Sequence, residues 1–221
     1  GSDGYFGQDN NTGGNQNPGS TDAVVAELLS IGQSKRSLNA GTEDSLVLTI
    51  RTLDKSGGII PKSNIKVEIV DAQNAGASLS TPTALVSDEN GIVTTNLGLV
   101  SANLNYKMNR TITVIVTSGT VKQEIVIPVN GTVVDISSDV NLLEEGQNAA
   151  VTVKAVDAAG KALVGAKASL VDATGAEVYS AVTTGQDGSA TFKVPYDKVR
   201  NYPNQKLEFL AKITVDGQNM S

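Results

Sequence analysis

The chain has 221 residues, a formal net charge of −6 and 4% aromatic residues, and it contains no cysteine, histidine or tryptophan. The missing residue types exclude disulfides, thiolate or imidazole metal sites and a Ser-His-Asp triad. The acidic balance and the few aromatics argue against nucleic-acid binding, which uses basic patches and stacking side chains.

The first 22 residues differ in composition from the rest of the chain. They are rich in Gly, Asn, Gln and Ser, and they contain one aromatic pair, Tyr5-Phe6. Such a segment buries too little apolar surface to offset the entropy of ordering it. We predict a flexible tether over residues 1–22. Tyr5 and Phe6 are candidate contacts for a partner, and the alternative is an aromatic pair without a role in a disordered tail.

From about Val24 onward, the pattern is typical of β-strands. Apolar residues alternate along 46–50, 112–116 and 121–129, and turn residues follow at 55–58, 88–91 and 118–119. Period-two alternation between turns indicates half-buried antiparallel strands. No long helical pattern is present, and 101–108 is the best candidate for a short helix or an irregular connection.

The second half of the chain repeats the first with a period near one hundred residues. Gly41 with the strand at 46–54 matches Gly146 with the strand at 151–157, and the Asn90-Gly91 turn matches Asp187-Gly188. A pattern that recurs at domain length indicates tandem copies of one domain rather than a solenoid. We therefore predict a tether at 1–22 and two domains, at 23–132 and 133–221.

The predicted fold is all-β, with two tandem immunoglobulin-like β-sandwiches after the disordered tail. Several short strands and about one hundred residues per copy fit this architecture. Tyr106 and Tyr202 each precede a strand, which suits a tyrosine corner, where the hydroxyl bonds to backbone. The other predicted structural residues are turn residues of the two copies: Gly91, Gly188, Asp54 and Asp157.

The strand and turn motifs resemble the bacterial immunoglobulin-like domains of the invasin/intimin type. In the first copy they are the strand 46–54, Pro61 and the turn and strand at 90–94. In the second copy they are 151–160, 164–166 and 187–191. The resemblance covers nearly all residues after 23. It implies tandem surface-exposed domains of a Gram-negative bacterium, often ending in an adhesive tip, although this chain lacks the Trp and Cys of a lectin-like tip.

Aspartates beside glycine turns have two interpretations. Oxygen ligands from several loops could bind calcium. Alternatively, each carboxylate accepts hydrogen bonds from its own turn, which is the chemistry that places Asp in turns. No spacing approaches an EF-hand, so we favour turn chemistry and assign no metal and no cofactor. The residues are Asp54, Asp88, Asp157, Asp172, Asp187 and Asp216.

Neither acidic pairs nor basic pairs indicate an active site or an anion site. Glu43-Asp44 and Glu144-Glu145 are neighbours in sequence, and neighbours on a strand point to opposite faces. Two carboxylates that work together must instead face one cleft. The basic residues at 35–36 and 198–200 form no stripe. We therefore predict that the chain is not an enzyme and assign no catalytic residue.

The main functional hypothesis is a non-catalytic stalk segment of a bacterial cell-surface adhesin or surface lipoprotein, which projects or mediates adhesion. The chain would be exported to the cell surface or outer membrane and would contact a protein or cell-surface partner. Further copies of the domain would follow in the full-length chain, and the membrane would be reached only through an upstream anchor. An alternative is an accessory subunit of a secretion, pilus or phage assembly, with its tail docked in a partner.

Two expectations concern the ends of the domains. The linker is predicted to be little more than residues 130–132, and such a short linker permits little independent movement. The second domain is expected to lack its last strand. Gly119 is followed by the strand at 121–129, whereas Gly217 is followed by four residues. We expect the native chain to continue past Ser221 and supply that strand.

Overall fold

A computed structural model describes residues 23–202, 204 and 206–221. The predicted tether and its candidate contacts Tyr5 and Phe6 lie outside the described residues. Within the described part, strands dominate and the two helices are one turn each. No helix among these residues is long and apolar enough to cross a membrane.

The first sandwich packs two sheets against each other. One sheet has the order β1-β3-β7-β5, and the other has the order β2-β9-β8-β4-β6. Neighbouring strands are antiparallel, except that β2 runs parallel to β9. The elements are β1 (Leu28–Gln33), β2 (Leu38–Asn39), β3 (Ser45–Leu53), β4 (Asn64–Ile69), α1 (Ala72–Ala75), β5 (Ala77–Leu79), β6 (Ala84–Val86), β7 (Ile92–Leu99), β8 (Arg110–Ser118) and β9 (Val121–Asn130).

The second sandwich repeats this arrangement with fewer strands. Its sheets have the orders β10-β11-β14 and β13-β12-β15-β16. The elements are β10 (Thr132–Ser138), β11 (Asn148–Asp157), β12 (Lys167–Val171), β13 (Glu177–Thr183), β14 (Ser189–Pro195), α2 (Tyr196–Arg200), β15 (Leu210–Val215) and β16 (Gln218–Asn219).

Alternating side chains build a separate core in each sandwich. In β3, Leu46, Leu48 and Ile50 are buried while the residues between them are less so, and the same period-two pattern appears in β8 and β11. This is the pattern expected of sheets with one face on a core. The predicted all-β fold of immunoglobulin-like sandwiches is confirmed. The segment at 101–108 forms turns rather than a helix.

The chain enters the first sandwich at one end and leaves it at the other. Near the start, the Ala26 N–H donates to Ser118 Oγ at 2.8 Å, beside the turn between β8 and β9. From that turn β9 runs for ten residues to the opposite end, where Gly131 leads into β10. The two sandwiches therefore follow one another end to end.

Candidate functional site at the junction of the sandwiches

One residue, Gly131, lies between the last strand of the first sandwich and the first strand of the second. The side chain of Asn109, from the loop before β8, forms hydrogen bonds to this connection through both its oxygen and its nitrogen. Its Oδ1 accepts from the N–H groups of Gly131 and Thr132 at 2.8 and 3.0 Å. Its Nδ2 donates to the carbonyls of Thr132 at 2.9 Å and Met220 at 3.3 Å. One amide therefore fixes the linker to both sandwiches.

The linker backbone is also held by close packing. Thr132 Oγ1 donates to the Lys107 carbonyl at 2.6 Å, and the Ala158 N–H donates to the Gly131 carbonyl at 3.0 Å. A Cβ on Gly131 would overlap that same Lys107 carbonyl oxygen. The backbone of Gly131 does not have a positive φ. Glycine is therefore required here by the close approach of two backbones and not by a special conformation.

Asp157 places a buried carboxylate at the junction. Its Oδ1 accepts from the N–H groups of Ala159 and Lys161 at 2.9 and 3.0 Å, which closes the turn after β11. Its Oδ2 accepts no hydrogen bond from the described residues and lies 3.6 Å from Lys107 Nζ of the first sandwich. Asp157 is 1% exposed. The ion pair with Lys107 stabilises the junction, because a buried carboxylate without a nearby cation would destabilise the fold.

Asp54 builds the same turn in the first sandwich without a partner across the junction. Its Oδ1 accepts from the N–H groups of Ser56 and Gly58, each at 2.8 Å. Asp88, Asp172 and Asp187 accept backbone N–H groups of their own turns in the same way. These bonds are those of the turn-chemistry interpretation. At Asp172 the Thr174 hydroxyl also donates, at 2.6 Å, and this bond lowers the pKa of the carboxyl.

Tyr106 fixes the loop that the first sandwich presents to the Asp157 turn. Its hydroxyl donates to the Thr42 carbonyl at 2.9 Å and accepts from the Gly41 N–H at 2.8 Å. A Cβ on Gly41 would lie 2.7 Å from Ala159 Cβ of the second sandwich. The Gly41 carbonyl also accepts from Lys161 Nζ at 3.0 Å. The loop that Tyr106 holds is therefore part of the junction.

We expect Tyr106→Phe to reduce the free energy of unfolding of the first sandwich by about 1–2 kcal/mol. The substitution keeps the ring but leaves the Thr42 carbonyl and the Gly41 N–H without their partner. Urea unfolding followed by circular dichroism measures the change. Tyr202→Phe is the matched control, and an equal loss in both variants would contradict the role given to the Tyr106 hydroxyl.

Tyr202 does not have the surroundings of Tyr106. It follows α2 and lies beside the Asp172 turn, and its hydroxyl makes no hydrogen bond to any residue the structure describes. The two glycines predicted at turns do share their geometry. Gly91 and Gly188 have φ of 68° and 79°, in the left-handed region. A Cβ on either would press against a backbone carbonyl of the adjacent strand.

Arg110 supports the loop before β8 from within the first sandwich, a role that the sequence analysis missed. Its Nε donates to the Ala75 carbonyl at 2.8 Å, and its Nη1 donates to the carbonyls of Met108 and Tyr106 at 2.9 and 3.1 Å. Burial lowers the pKa of the Arg110 guanidinium from its ordinary value. The side chain therefore shapes the loop that carries Asn109. A lone arginine at the start of a strand gave no sequence signal of this role.

Apolar contacts complete the junction. Met108, from the first sandwich, packs against the core of the second. Beside it lies a cleft of about 340 Å³ between the sandwiches, lined by Leu104 and Tyr106 on one side and by Leu163 and Val164 on the other. A further hydrogen bond crosses the junction, from Gln218 Nε2 to Asn105 Oδ1 at 2.7 Å. Several hydrogen bonds therefore join one sandwich to the other, and the arrangement is suited to holding two bodies together.

No protein-family model and no curated protein matches the chain. Among solved structures it is similar to invasin, a bacterial integrin-binding protein, with 12% identity, a TM-score of 0.40, and 88% of this chain and 37% of that chain covered. Invasin is thus among the structures similar to this chain. FdeC, an Escherichia coli adhesin, gives 15% identity, a TM-score of 0.40 and coverage of 90% and 63%.

A β-glycosidase from Bacteroides vulgatus is also similar, with 14% identity, a TM-score of 0.38, and 49% of this chain and 14% of that chain covered. The chain spans less than two thirds of the length of each of these three proteins.

Proposed function

We propose that the chain is a non-catalytic stalk segment of an exported bacterial surface protein, an adhesin or a surface lipoprotein of a Gram-negative cell. One observation carries the proposal. The single linking residue, Gly131, is bound by Asn109 and packed under the Lys107 carbonyl. A stalk must keep successive domains in line, and this joint does so because movement of one sandwich would break several hydrogen bonds together.

The path of the chain and its charge support the same function. The chain enters the first sandwich at one end and leaves it at the other. Each further domain would therefore lengthen the stalk. The formal net charge of −6 repels neighbouring copies and keeps them soluble. Placement at the cell surface rests on the resemblance of the turn motifs to invasin/intimin-type domains. The tether and an upstream anchor are part of the proposal, as are further copies of the domain.

We expect the two sandwiches to keep one relative orientation in solution. The chain has no cysteine, so Lys122→Cys and Glu177→Cys introduce one spin label on each sandwich, both at exposed positions. Double electron–electron resonance should give one narrow distance distribution. Small-angle scattering should show an elongated particle. A broad distribution of distances would contradict a stalk, whatever the stability of each sandwich.

Surface placement is tested separately from stiffness. An antibody against the two sandwiches should label intact cells of the source bacterium without permeabilisation. Labelling that requires permeabilised cells would contradict export to the surface. It would not affect the conclusion that the joint is stiff.

A further inference from the structure

The first sandwich exposes an apolar patch on the outer face of one sheet. Leu28 of β1 lies opposite Leu53 of β3, and Leu53 also bridges to Ile59 in the turn that follows. Residues opposite one another in an antiparallel pair share a face, and the buried residues of β3 are the alternate ones. Leu28 and Ile59 are 45% and 55% exposed. Half-buried Ile92 lies in the next row, opposite Arg51. We name as the entry patch the four apolar residues Leu28, Leu53, Ile59 and Ile92.

The second sandwich has smaller side chains at all four equivalent positions. Val133 lies opposite Val156, which bridges to Ala162. Ser189 lies opposite Lys154 in the next row. Val133 is 49% exposed, so the junction does not cover it. A requirement of the fold would act on both copies, and the larger apolar side chains therefore serve something that only the first sandwich meets.

The segment that precedes the described residues contains one apolar element that can reach this patch. Tyr5 and Phe6 are adjacent, and no Leu, Ile, Val or Met accompanies them among the first 22 residues. Sixteen residues lie between Phe6 and Ala23, and a flexible chain of that length spans about 20–24 Å on average. Leu28 follows Ala23 by five residues, which is at most about 16–18 Å of extended chain. The aromatic pair is therefore within reach of the entry patch.

The charges of the two elements are complementary. Acidic residues stand on both sides of the aromatic pair, at Asp3 and Asp9, and the first 22 residues contain no lysine or arginine. The four strands of the sheet that carries the entry patch contain a single charged residue, Arg51, which is exposed. A guanidinium stacks on aromatic faces and also pairs with carboxylates. Arg51 is thus suited to both features of the segment around Tyr5 and Phe6.

We propose that the Tyr5-Phe6 pair docks on the entry patch of its own chain. The rings cover Leu28 and Ile59, and Arg51 borders them. Because pair and patch belong to one chain, the effective concentration is in the mM range, so a contact of low intrinsic affinity is populated. The contact does not depend on the stalk function. For a chain anchored upstream, docking would shorten the tether to residues 1–4, and that consequence does rest on the proposed function.

A tryptophan reporter tests the contact. The chain contains no tryptophan, so Phe6→Trp introduces a single one. We expect acrylamide to quench its fluorescence severalfold less in the full chain than in a peptide of residues 1–22 with the same substitution. The protection should be independent of chain concentration. In a chain without the reporter, changing Tyr5 and Phe6 to serine should shift the methyl NMR signals of Leu28 and Ile59.

Two further substitutions locate the docking site. Ile59→Ala, combined with Phe6→Trp, is expected to weaken docking by about tenfold, because it removes three carbons from the patch. The second sandwich carries alanine at this position, so the fold accommodates it. Val133→Ala is the matched control, since it shortens an exposed side chain at the position equivalent to Leu28. We expect it to leave quenching unchanged.

Three results would overturn the proposal. The first is equal quenching in the chain and in the peptide. The second is an equal effect of Ile59→Ala and Val133→Ala, because the pair would then not recognise the entry patch. The third is protection that increases with chain concentration, because a second copy would then hold the aromatic pair.

Discussion

Replacement of Gly131 with alanine is expected to abolish the fixed relative orientation of the two sandwiches. The added methyl group would occupy the position of the Lys107 carbonyl oxygen. The new Cβ and the Lys107 carbonyl oxygen are both bonded directly to the backbone, so neither can avoid the other by rotating a side chain. The linker backbone must therefore move. The bonds from Asn109 to Gly131 and Thr132, and from Thr132 to Lys107, then break together. Overpacking of this kind costs about 1–3 kcal/mol before the lost hydrogen bonds are counted.

The measurement is the distance distribution between labels on the two sandwiches, together with calorimetry. In Gly131→Ala we expect the narrow distance peak to broaden severalfold, and the melting of the two sandwiches to become independent. Gly32→Ala is the matched control, because it also adds a methyl group to a glycine without a positive φ, and the nearest atom there is 3.9 Å from the new Cβ. A narrow distribution in Gly131→Ala would show that the linker does not set the orientation.

Asp157→Ala is expected to lower the free energy of unfolding of the second sandwich by about 2–3 kcal/mol. Part of the loss comes from the turn, since two N–H groups lose their acceptor. A smaller part comes from the ion pair with Lys107, because that side chain is 36% exposed and its charge becomes solvated when the carboxylate is removed. Urea unfolding measures the change.

Asp54→Ala supplies the matched control, because Asp54 forms the same turn on an exposed surface. We expect a loss of about 1 kcal/mol there, as for a turn or cap alone. The difference between the two losses of unfolding free energy measures what the contacts of Asp157 at the junction contribute. A double-mutant cycle with Lys107→Met should give a coupling of about 0.5–1 kcal/mol. Equal losses in Asp157→Ala and Asp54→Ala would show that Asp157 has only the role of its turn.

The sequence by itself determined the local part of this structure. The alternation at 46–50 and 112–116 predicted strands because side chains of a strand point alternately to its two faces. The Asp and Gly positions predicted turns, since a carboxylate at Asp54 or Asp157 bonds to amides two and four residues onward. The repeat of both signals after about one hundred residues predicted two copies of a sandwich.

The junction was decided only by the tertiary structure. Asn109 bonds to residues 22 to 111 positions away, and Lys161 bonds to a carbonyl 120 positions away. No local pattern encodes such pairs, because they depend on how one folded sandwich rests on the next. Tyr106 and Tyr202 illustrate the limit: the repeat places them at equivalent positions, yet among the described residues only the Tyr106 hydroxyl bonds to a loop that contacts the other sandwich. Gly131 is also required by tertiary structure, since the Lys107 carbonyl that excludes its side chain is brought beside it by the pairing of β8 with β9.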